Sequence, residues 1–538
     1  MCTGANMTND RFHLYDTTLR DGAQKEGVSY TVDAKLEVAA LLDRLGVGFI
    51  EGGWPGAVPK DTEFFRRARS ELPLRHATLV AFGATRRPGG TADGDRQVRA
   101  LLESEAQAVC LVAKADLRHV SDALRTTPEE NLAMIEDTVR LLVGEGRRVF
   151  VDCEHFFDGY QNDPDYALRV VTRAWDAGAE VAVLCDTNGG MLPMRVHRVV
   201  SELRSRTAGR LGIHCQDDTG CAVANTLAAV DAGATHAQCT ANGYGERTGN
   251  ADLFTVVGNL VTKMGMDVLP QGCLAEMTPI SRALAEIAGE PTDSAQPYVG
   301  SSAFAHKAGL HASAIKVRPE LYNHLDPAAV GNTMRILVTE LAGRASIELK
   351  GRELGLDLAG RTETVGRVVD RIKDMESRGW SFEAADASFE LMLRDELGQG
   401  VPPFFRLESY RVVVEHRADG VVTSEATVRL HADGERIVAT AEGSGPVNAL
   451  DRALRDALKH LRPELAKVEL TDYSVRILAT GQGSDAVTRV LITTGDDRHE
   501  WTTVGVHDNL IEASWLALED ANRYGVLCGP QPAACAGS

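Results

Sequence analysis

Eight short β-rich runs alternate with amphipathic stretches over the first 265 residues, and this alternation limits the fold more than any other feature of the chain. The runs are HLYDTT (13–18), GFIEGGW (48–54), ATLVAFG (77–83), AVCLVAK (108–114), VFVDCEH (149–155), VAVLCDT (181–187), LGIHCQD (211–217) and HAQCTAN (236–242). Between them, stretches such as 32–46, 131–146, 165–178 and 222–233 repeat apolar residues at the helical period. Gly46, Gly178 and Gly233 stand where three of these stretches end, as helix C-caps do. Eight strands alternating with helices predict a closed α/β barrel, the (β/α)8 or TIM barrel. The rival is an open, doubly wound sheet. That fold carries a glycine-rich phosphate turn after its first strand, and LYDTTLRDG is not one.

Polar residues gather where the runs end: Arg20 and Asp21, Glu51, Glu154, Asp186 and Thr187, His214 and Asp217, and Asn242. In a barrel these positions share one rim, the rim that carries the active site.

Beyond residue 265 the pattern changes. Residues 266–402 read as helical linker subdomains broken by Gly and Pro. Residues 403–530 hold two similar halves. RLESYRVVVEHR, EATVRLHA and RIVATAE precede a helix at 448–461; VELTDYSVRIL, TRVLITTG and EWTTVGVH precede another at 509–525. This repeat predicts a small α+β domain with internal pseudo-symmetry, suited to dimerisation, ligand sensing or both. The expected domains are thus a barrel at 8–265, the helical linker at 266–402 and the repeat domain at 403–530. Met7 is a candidate start after a ragged tail, and the end, CGPQPAACAGS, reads as disordered.

Charge narrows the partners. A net charge of -19 argues against nucleic acid, which calls for a basic face. It leaves room for an anionic substrate, because a few local cations can dominate one pocket. No apolar run reaches the ~18 residues that span a membrane, and the N-terminus has no apolar signal core. The ten cysteines show no CxxC pair. A cytoplasmic protein with reduced, buried thiols is expected.

YDTTLRDGAQKEG places Arg20 beside Asp21 just after the first run. Arg can fork onto a carbonyl or carboxylate oxygen, and Asp is a hard donor for a divalent cation. The same pair also suits an ion pair that ties down a barrel loop. GIHCQDDTG puts His214 and Gln216 two residues apart, on one face of a strand. GERTGN brings Asn250 to the same rim. Asp21, His214 and Asn250 make a candidate site for Mg, Mn or Zn, with positions open to a 2-oxo acid.

YDTTLRDGAQ, EGGWPG, DCEHFFDGY, CDTNGG, NGYGERTGN, AFAHKAGLHASA and VTELAGR resemble the 2-isopropylmalate and homocitrate synthase family, in particular its citramalate synthase branch. The resemblance runs from about residue 12 to residue 528, and the C-terminal repeat resembles the family's allosteric dimerisation domain. It implies a Claisen-type condensation. An acetyl-CoA enolate attacks a metal-bound 2-oxo acid, and hydrolysis releases CoA. With pyruvate the product is (R)-citramalate, on a route to isoleucine. The resemblance also implies residue roles. Arg20 polarises the keto oxygen. Asp21 and His214 bind the metal, with Gln216 and Asn250 beside them. Glu154 serves acid–base chemistry, and Thr187 binds the carboxylate of the 2-oxo acid. His311 and Tyr322 assist proton transfer. A homodimer and an isoleucine or leucine effector are implied as well.

The chain departs from that family at its metal motif: the usual His-x-His is His214-Cys215-Gln216. A Gln coordinates through its carbonyl oxygen, more weakly than imidazole for transition metals. Near Lys114 the chain lacks an expected Trp, and Ala308 and Cys239 stand where Gly is usual. These departures leave three readings open: citramalate formation with an altered metal preference, the same condensation on another 2-oxo acid, or a non-catalytic relative. Lys25 and Arg118 are candidates for attracting a more anionic acid, or ordinary solvated cations.

Overall fold

The computed structural model describes residues 11–432, 434–459, 461–478, 486–496 and 498–528. The ragged start and the disordered end expected from sequence lie outside the described residues.

Eight parallel strands close in sequential order: β1 (His13–Asp16), β2 (Phe49–Gly53), β3 (Thr78–Ala84), β4 (Ala108–Lys114), β5 (Arg148–Glu154), β6 (Val181–Asp186), β7 (Arg210–Cys215) and β8 (His236–Cys239). β1 pairs with both β2 and β8, placing His13 opposite His236 and Asp16 opposite Cys239, which completes the ring. Several strands stop before their predicted run does. Thr17–Thr18, Gln216–Asp217 and Thr240–Asn242 leave the sheet, and their side chains bond across loops at the rim instead.

The helices between strands start and stop where local chemistry says they must. Thr31 accepts from the Ala34 N–H to cap Val32–Leu45, and Gly46 at φ 93° ends it. Asp163 caps Pro164–Asp176 in the same way. Side chains alternate along each strand. One set fills the barrel interior, including Tyr15, Phe49, Val80, Phe150 and Val183. The other set, including Leu14, Ile50, Val109, Val151 and Ile213, packs against the surrounding helices.

The chain forms two compact units. The first ends at Phe304 but also takes in Asn323–Met334; the second holds Ala305–Tyr322 and the chain from Arg335 onward. The boundary expected at residue 265 falls inside the first unit. Helix Met277–Ala288 buries Met277, Ile280 and Leu284 in the barrel's outer core. The returning segment is bound just as firmly. Asn332 donates to the carbonyls of Tyr298 (2.9 Å) and Gly300 (3.0 Å), and the Val330 carbonyl accepts from Thr278 (2.7 Å).

The second unit begins with a two-stranded sheet of β9 (Ala305–His306) and β10 (Arg335–Ile336) and a group of helices. Two antiparallel sheets follow. β11 (Arg406–His416), β12 (Val422–Ala432) and β13 (Glu435–Gly443) precede helix Pro446–Leu458. β14 (Glu469–Ile477), β15 (Thr488–Gly495) and β16 (Glu500–His507) precede helix Leu510–Cys528. The first strand of each half carries a register shift near its start, between Leu407 and Ser409 and between Leu470 and Asp472. The repeat read from sequence therefore extends to a matching irregularity. Among the described residues no helix is long and apolar enough to cross a membrane.

At the N-terminal ends of the strands, His13 and His236 are fully buried with their Nδ1 atoms 3.3 Å apart. Both rings pack on Phe49 and Phe150. Burial pushes both imidazoles down, and the nearby Arg210 and Arg148 add to the effect; His13 falls to about 3. The folded protein therefore holds both rings neutral at neutral pH, whereas the unfolded chain takes up protons below about pH 6.5. Their stability is fully present above that pH and is lost as pH falls, by up to ~1.4 kcal/mol per pH unit for each ring. Urea titrations from pH 7.5 to pH 5 will show this decline, and it will be shallower in His236→Gln whatever that variant's stability at the upper end.

Candidate active site

The turn after β1 uses nearly every polar side chain of YDTTLRDG. Asp16 accepts from the Thr18 N–H (2.9 Å) and hydroxyl (2.8 Å), and Thr18 Oγ1 accepts from the Ala241 N–H (2.7 Å). The turn after β1 is thus tied to the loop after β8. Burial raises the Asp16 carboxyl to about 7 against the pull of those hydrogen bonds.

Glu51, fully buried on β2, takes hydrogen bonds from Tyr15 Oη (2.6 Å), Thr17 Oγ1 (2.5 Å) and Arg20 Nε (2.6 Å). The Arg20 guanidinium also lies 4.0 Å above the Phe82 ring and 3.3 Å from Asp21 Oδ2. Arg20 is fixed by a charge-assisted hydrogen bond, a second carboxylate and an aromatic face together.

Asp21 meets His214 across the barrel mouth, Oδ2 to Nε2 at 3.3 Å. His214 Nδ1 lies 2.8 Å from Gln238 Oε1, while Gln238 Nε2 donates to Asp152 Oδ1 at 2.8 Å. This chain turns Nδ1–H toward Gln238 and Nε2 toward Asp21; burial pushes the His214 imidazole down, but Asp21 outweighs it and holds the ring above its ordinary range. Burial pushes the Asp21 carboxyl up, but Arg20 and His214 outweigh it and hold the group well below the usual carboxylate range.

Gln216 and Asn250 complete the group. Gln216 Nε2 lies 3.1 Å from Asn250 Oδ1 and 3.4 Å from both Asp21 Oδ2 and His214 Nε2. Asn250 is oriented by its own donation to the Tyr244 carbonyl, 3.0 Å away. The loop reaches this position only with glycine at two places. A Cβ on Gly245 (φ 154°) would stand 2.3 Å from Asn250 Nδ2, and one on Gly249 (φ 90°) 1.9 Å from the Gly243 carbonyl oxygen.

These residues fit a divalent cation. Ligands held at about 2.1 Å by one ion and near right angles lie ~3 Å apart, the spacing of Asp21 Oδ2 and His214 Nε2. Gln216 Oε1 is buried without a hydrogen-bond partner, which leaves one more oxygen to give. Among the described residues no three His, Cys, Asp or Glu side chains converge on a metal position. The site therefore leans on its two amides.

Arg20, Asp21, Glu154, Thr187, His214 and Gln216 line one cavity of about 370 Å³. Asn250 lines the neighbouring cavity and reaches this one through Gln216. Thr187 Oγ1 accepts from the His155 N–H at 2.8 Å, so its own hydroxyl proton remains available as a donor. His155 holds that N–H in place with a left-handed backbone, φ 57°. Burial pushes its imidazole down to about 4, and the ring stacks on His119 at 3.8 Å. His311 and Tyr322 belong to the second unit, where their rings stack at 4.0 Å. Lys25 is paired with Glu290 (3.1 Å) and Arg118 with Asp116 (2.5 Å), and neither lines the 370 Å³ cavity.

Two functional groups escape sequence reasoning. Lys114 ends β4 directly opposite Glu154 on β5, and its Nζ is ion-paired with Glu154 Oε2 inside the cavity. Its position at a strand's C-terminal end is the same signal that marks Glu154. Gln238 gives no comparable signal, because its partners His214 and Asp152 come from two other strands.

Each part of the chain has a counterpart among known families. Residues 11–282 match the HMGL-like family, 298–379 the homocitrate synthase post-HMGL domain-like family, and 383–525 the LeuA allosteric (dimerisation) domain. An (R)-citramalate synthase of Streptomyces coelicolor is 63% identical over 99% of this chain and 100% of its own length. The chain belongs to the citramalate synthase branch of the 2-isopropylmalate synthase family. An (R)-citramalate synthase of Aquifex aeolicus is 45% identical over 96% of this chain and 98% of its own. A probable 2-isopropylmalate synthase of Methanopyrus kandleri is 33% identical, over 95% and 97%. Both family names thus extend over barrel, linker and repeat domain alike.

Replacing Glu51 by Gln keeps the shape but trades a carboxylate oxygen for an N–H donor and leaves Arg20 with one anion fewer. Urea unfolding of Glu51→Gln is expected to show a loss of about 3–5 kcal/mol.

Proposed function

We propose that this enzyme condenses acetyl-CoA with pyruvate and water to give (R)-citramalate and CoA. The observation that carries the reading is the convergence of Arg20, Asp21, Glu154, Thr187 and His214 on one cavity in a chain that matches (R)-citramalate synthases from end to end. That convergence disfavours a non-catalytic relative.

Arg20 and Thr187 offer donors to the two ends of a 2-oxo acid, Arg20 to the keto oxygen and Thr187 to the carboxylate. The rest of the wall is made partly of Phe82, Trp54 and Val112, which suits a methyl group. Glu154 accepts a proton from the acetyl methyl, and its ion pair with Lys114 aims it. A divalent cation, Mn, Mg or Zn, held by Asp21, His214, Gln216 and Asn250, would neutralise charge growing on the keto oxygen. His311 and Tyr322 supply the proton transfer assigned to them by their match to family motifs. The C-terminal domain serves a homodimer and binds a branched-chain amino acid, isoleucine or leucine. A cytoplasmic location suits the buried free thiols of Cys110, Cys153, Cys185, Cys215 and Cys239.

Thiol release from acetyl-CoA, measured against a panel of 2-oxo acids with each metal, tests the substrate. Pyruvate is expected to give the highest kcat/KM; a higher value with 2-oxobutyrate, 2-oxoisovalerate or oxaloacetate would assign the condensation to another acid. Lys114→Met is expected to lower kcat about 100-fold, the usual worth of a working acid–base pair, with little change in the KM for pyruvate. A rise confined to KM would make Lys114 a binding residue instead.

A further inference from the structure

Gln216 Nε2 is surrounded by Asp21 Oδ2, His214 Nε2 and Asn250 Oδ1 at 3.1–3.4 Å. Asp21 Oδ2 and Asn250 Oδ1 accept from it, and His214 Nε2 stands beside them in the same group. An amide nitrogen carries two hydrogens and no pair to give, so it can satisfy at most two of the three. The amide oxygen of the same side chain is buried with no partner at all. Donors grouped around a positively polarised NH2 are the surroundings of a cation, with the amide nitrogen near its place. A half-turn about the Cγ–Cδ bond would exchange the two amide atoms. It would bring Oε1 among the donors and end its isolation.

The other members cannot make an equivalent change without loss. Asn250 Nδ2 is engaged by the Tyr244 carbonyl, and His214 Nδ1 by Gln238 Oε1. Gln216 is the one member of the group whose two faces are so unequally satisfied.

We infer that Gln216 turns its amide oxygen toward a bound cation, and that this oxygen fits the site to a hard divalent cation, Mg2+ or Mn2+. This rests on the cation binding proposed above. With the oxygen inward the donors are one imidazole nitrogen and three oxygens. Oxygen donors suit Mg2+ and Mn2+, whereas a second imidazole at this position suits Zn2+ and Co2+. Zn2+ binds more tightly than Mn2+ at most sites, so the informative quantity is the ratio of the two affinities and how residue 216 changes it.

The test is direct binding of Mn2+ and Zn2+ to the metal-stripped, full-length protein, by calorimetry or equilibrium dialysis without substrates. Gln216→His is expected to tighten Zn2+ about tenfold or more while moving Mn2+ less than about threefold. Gln216→Leu, which removes both amide atoms, is expected to weaken Mn2+ about tenfold, and the relaxation of water protons around bound Mn2+ to show an additional exchanging water. Gln216→Glu keeps the oxygen and is expected to bind Mn2+ at least as tightly as the parent, which keeps the test decisive if the Leu variant misfolds. Unchanged Mn2+ binding in a folded Leu variant, or equal gains for both metals in Gln216→His, would overturn the inference. Pyruvate-dependent CoA release on the same preparations reports on the reaction separately. Its absence alongside the expected metal ratios would remove the proposed reaction and leave the inference standing.

Discussion

The Glu51 carboxylate receives three hydrogen bonds in a place where no part of it meets solvent. Its donors belong to different levels of the molecule. Tyr15 is part of the barrel's inner packing, Thr17 is the first residue past β1, and Arg20 projects into the cavity. One buried anion therefore links the core to the rim. A buried carboxylate is tolerable only when paired and fully hydrogen-bonded, so the requirement runs both ways. Arg20 needs Glu51 to stay in position, and Glu51 needs Arg20 to remain charged where it is.

A second chain of polar groups crosses the barrel interior from Asp152 through Gln238 to His214. It decides which nitrogen of His214 faces the cavity. The two chains meet at Asp21, held by Arg20 on one side and facing His214 on the other. The rim is thus organised in part by Tyr15, Thr17, Glu51 and Gln238, buried side chains that do not line the cavity. In that respect Gln216 sits differently, since nothing inside the barrel holds its oxygen.

Much of this was legible in the sequence, for identifiable reasons. All eight barrel strands appeared as β-rich runs, and the polar residues ending six of them marked the rim, because parallel strands put their C-terminal ends on one face. Glu154, Thr187, His214 and Asp21 were found this way. Strand ends were overshot where a polar loop residue such as Thr17 or Gln216 continued the strand-like pattern. Gln238 was invisible because its importance lies in contacts to β5 and β7, and composition carries no record of which inward-facing residues meet. His311 and Tyr322 were recognisable only by resemblance, since no periodicity singles them out. The first compact unit runs past the boundary expected at residue 265: helix Met277–Ala288 follows a loop that interrupts the strand–helix rhythm, and its apolar face belongs to the outer core of the barrel.

The chain passes from one unit to the other after Phe304, returns at Asn323 and leaves again after Met334. A single break in the gene therefore cannot release two intact modules. A cut before residue 305 strands Val330 and Asn332, which the first unit uses to cover its core and bind Tyr298. A cut after residue 334 severs β10 from its partner β9. Recombination that exchanged the C-terminal half between relatives would leave residues 305–334 mismatched to one unit or the other, because 305–322 belongs to the second and 323–334 to the first. Threaded this way, barrel and C-terminal half are expected to have been inherited together rather than shuffled as separate cassettes.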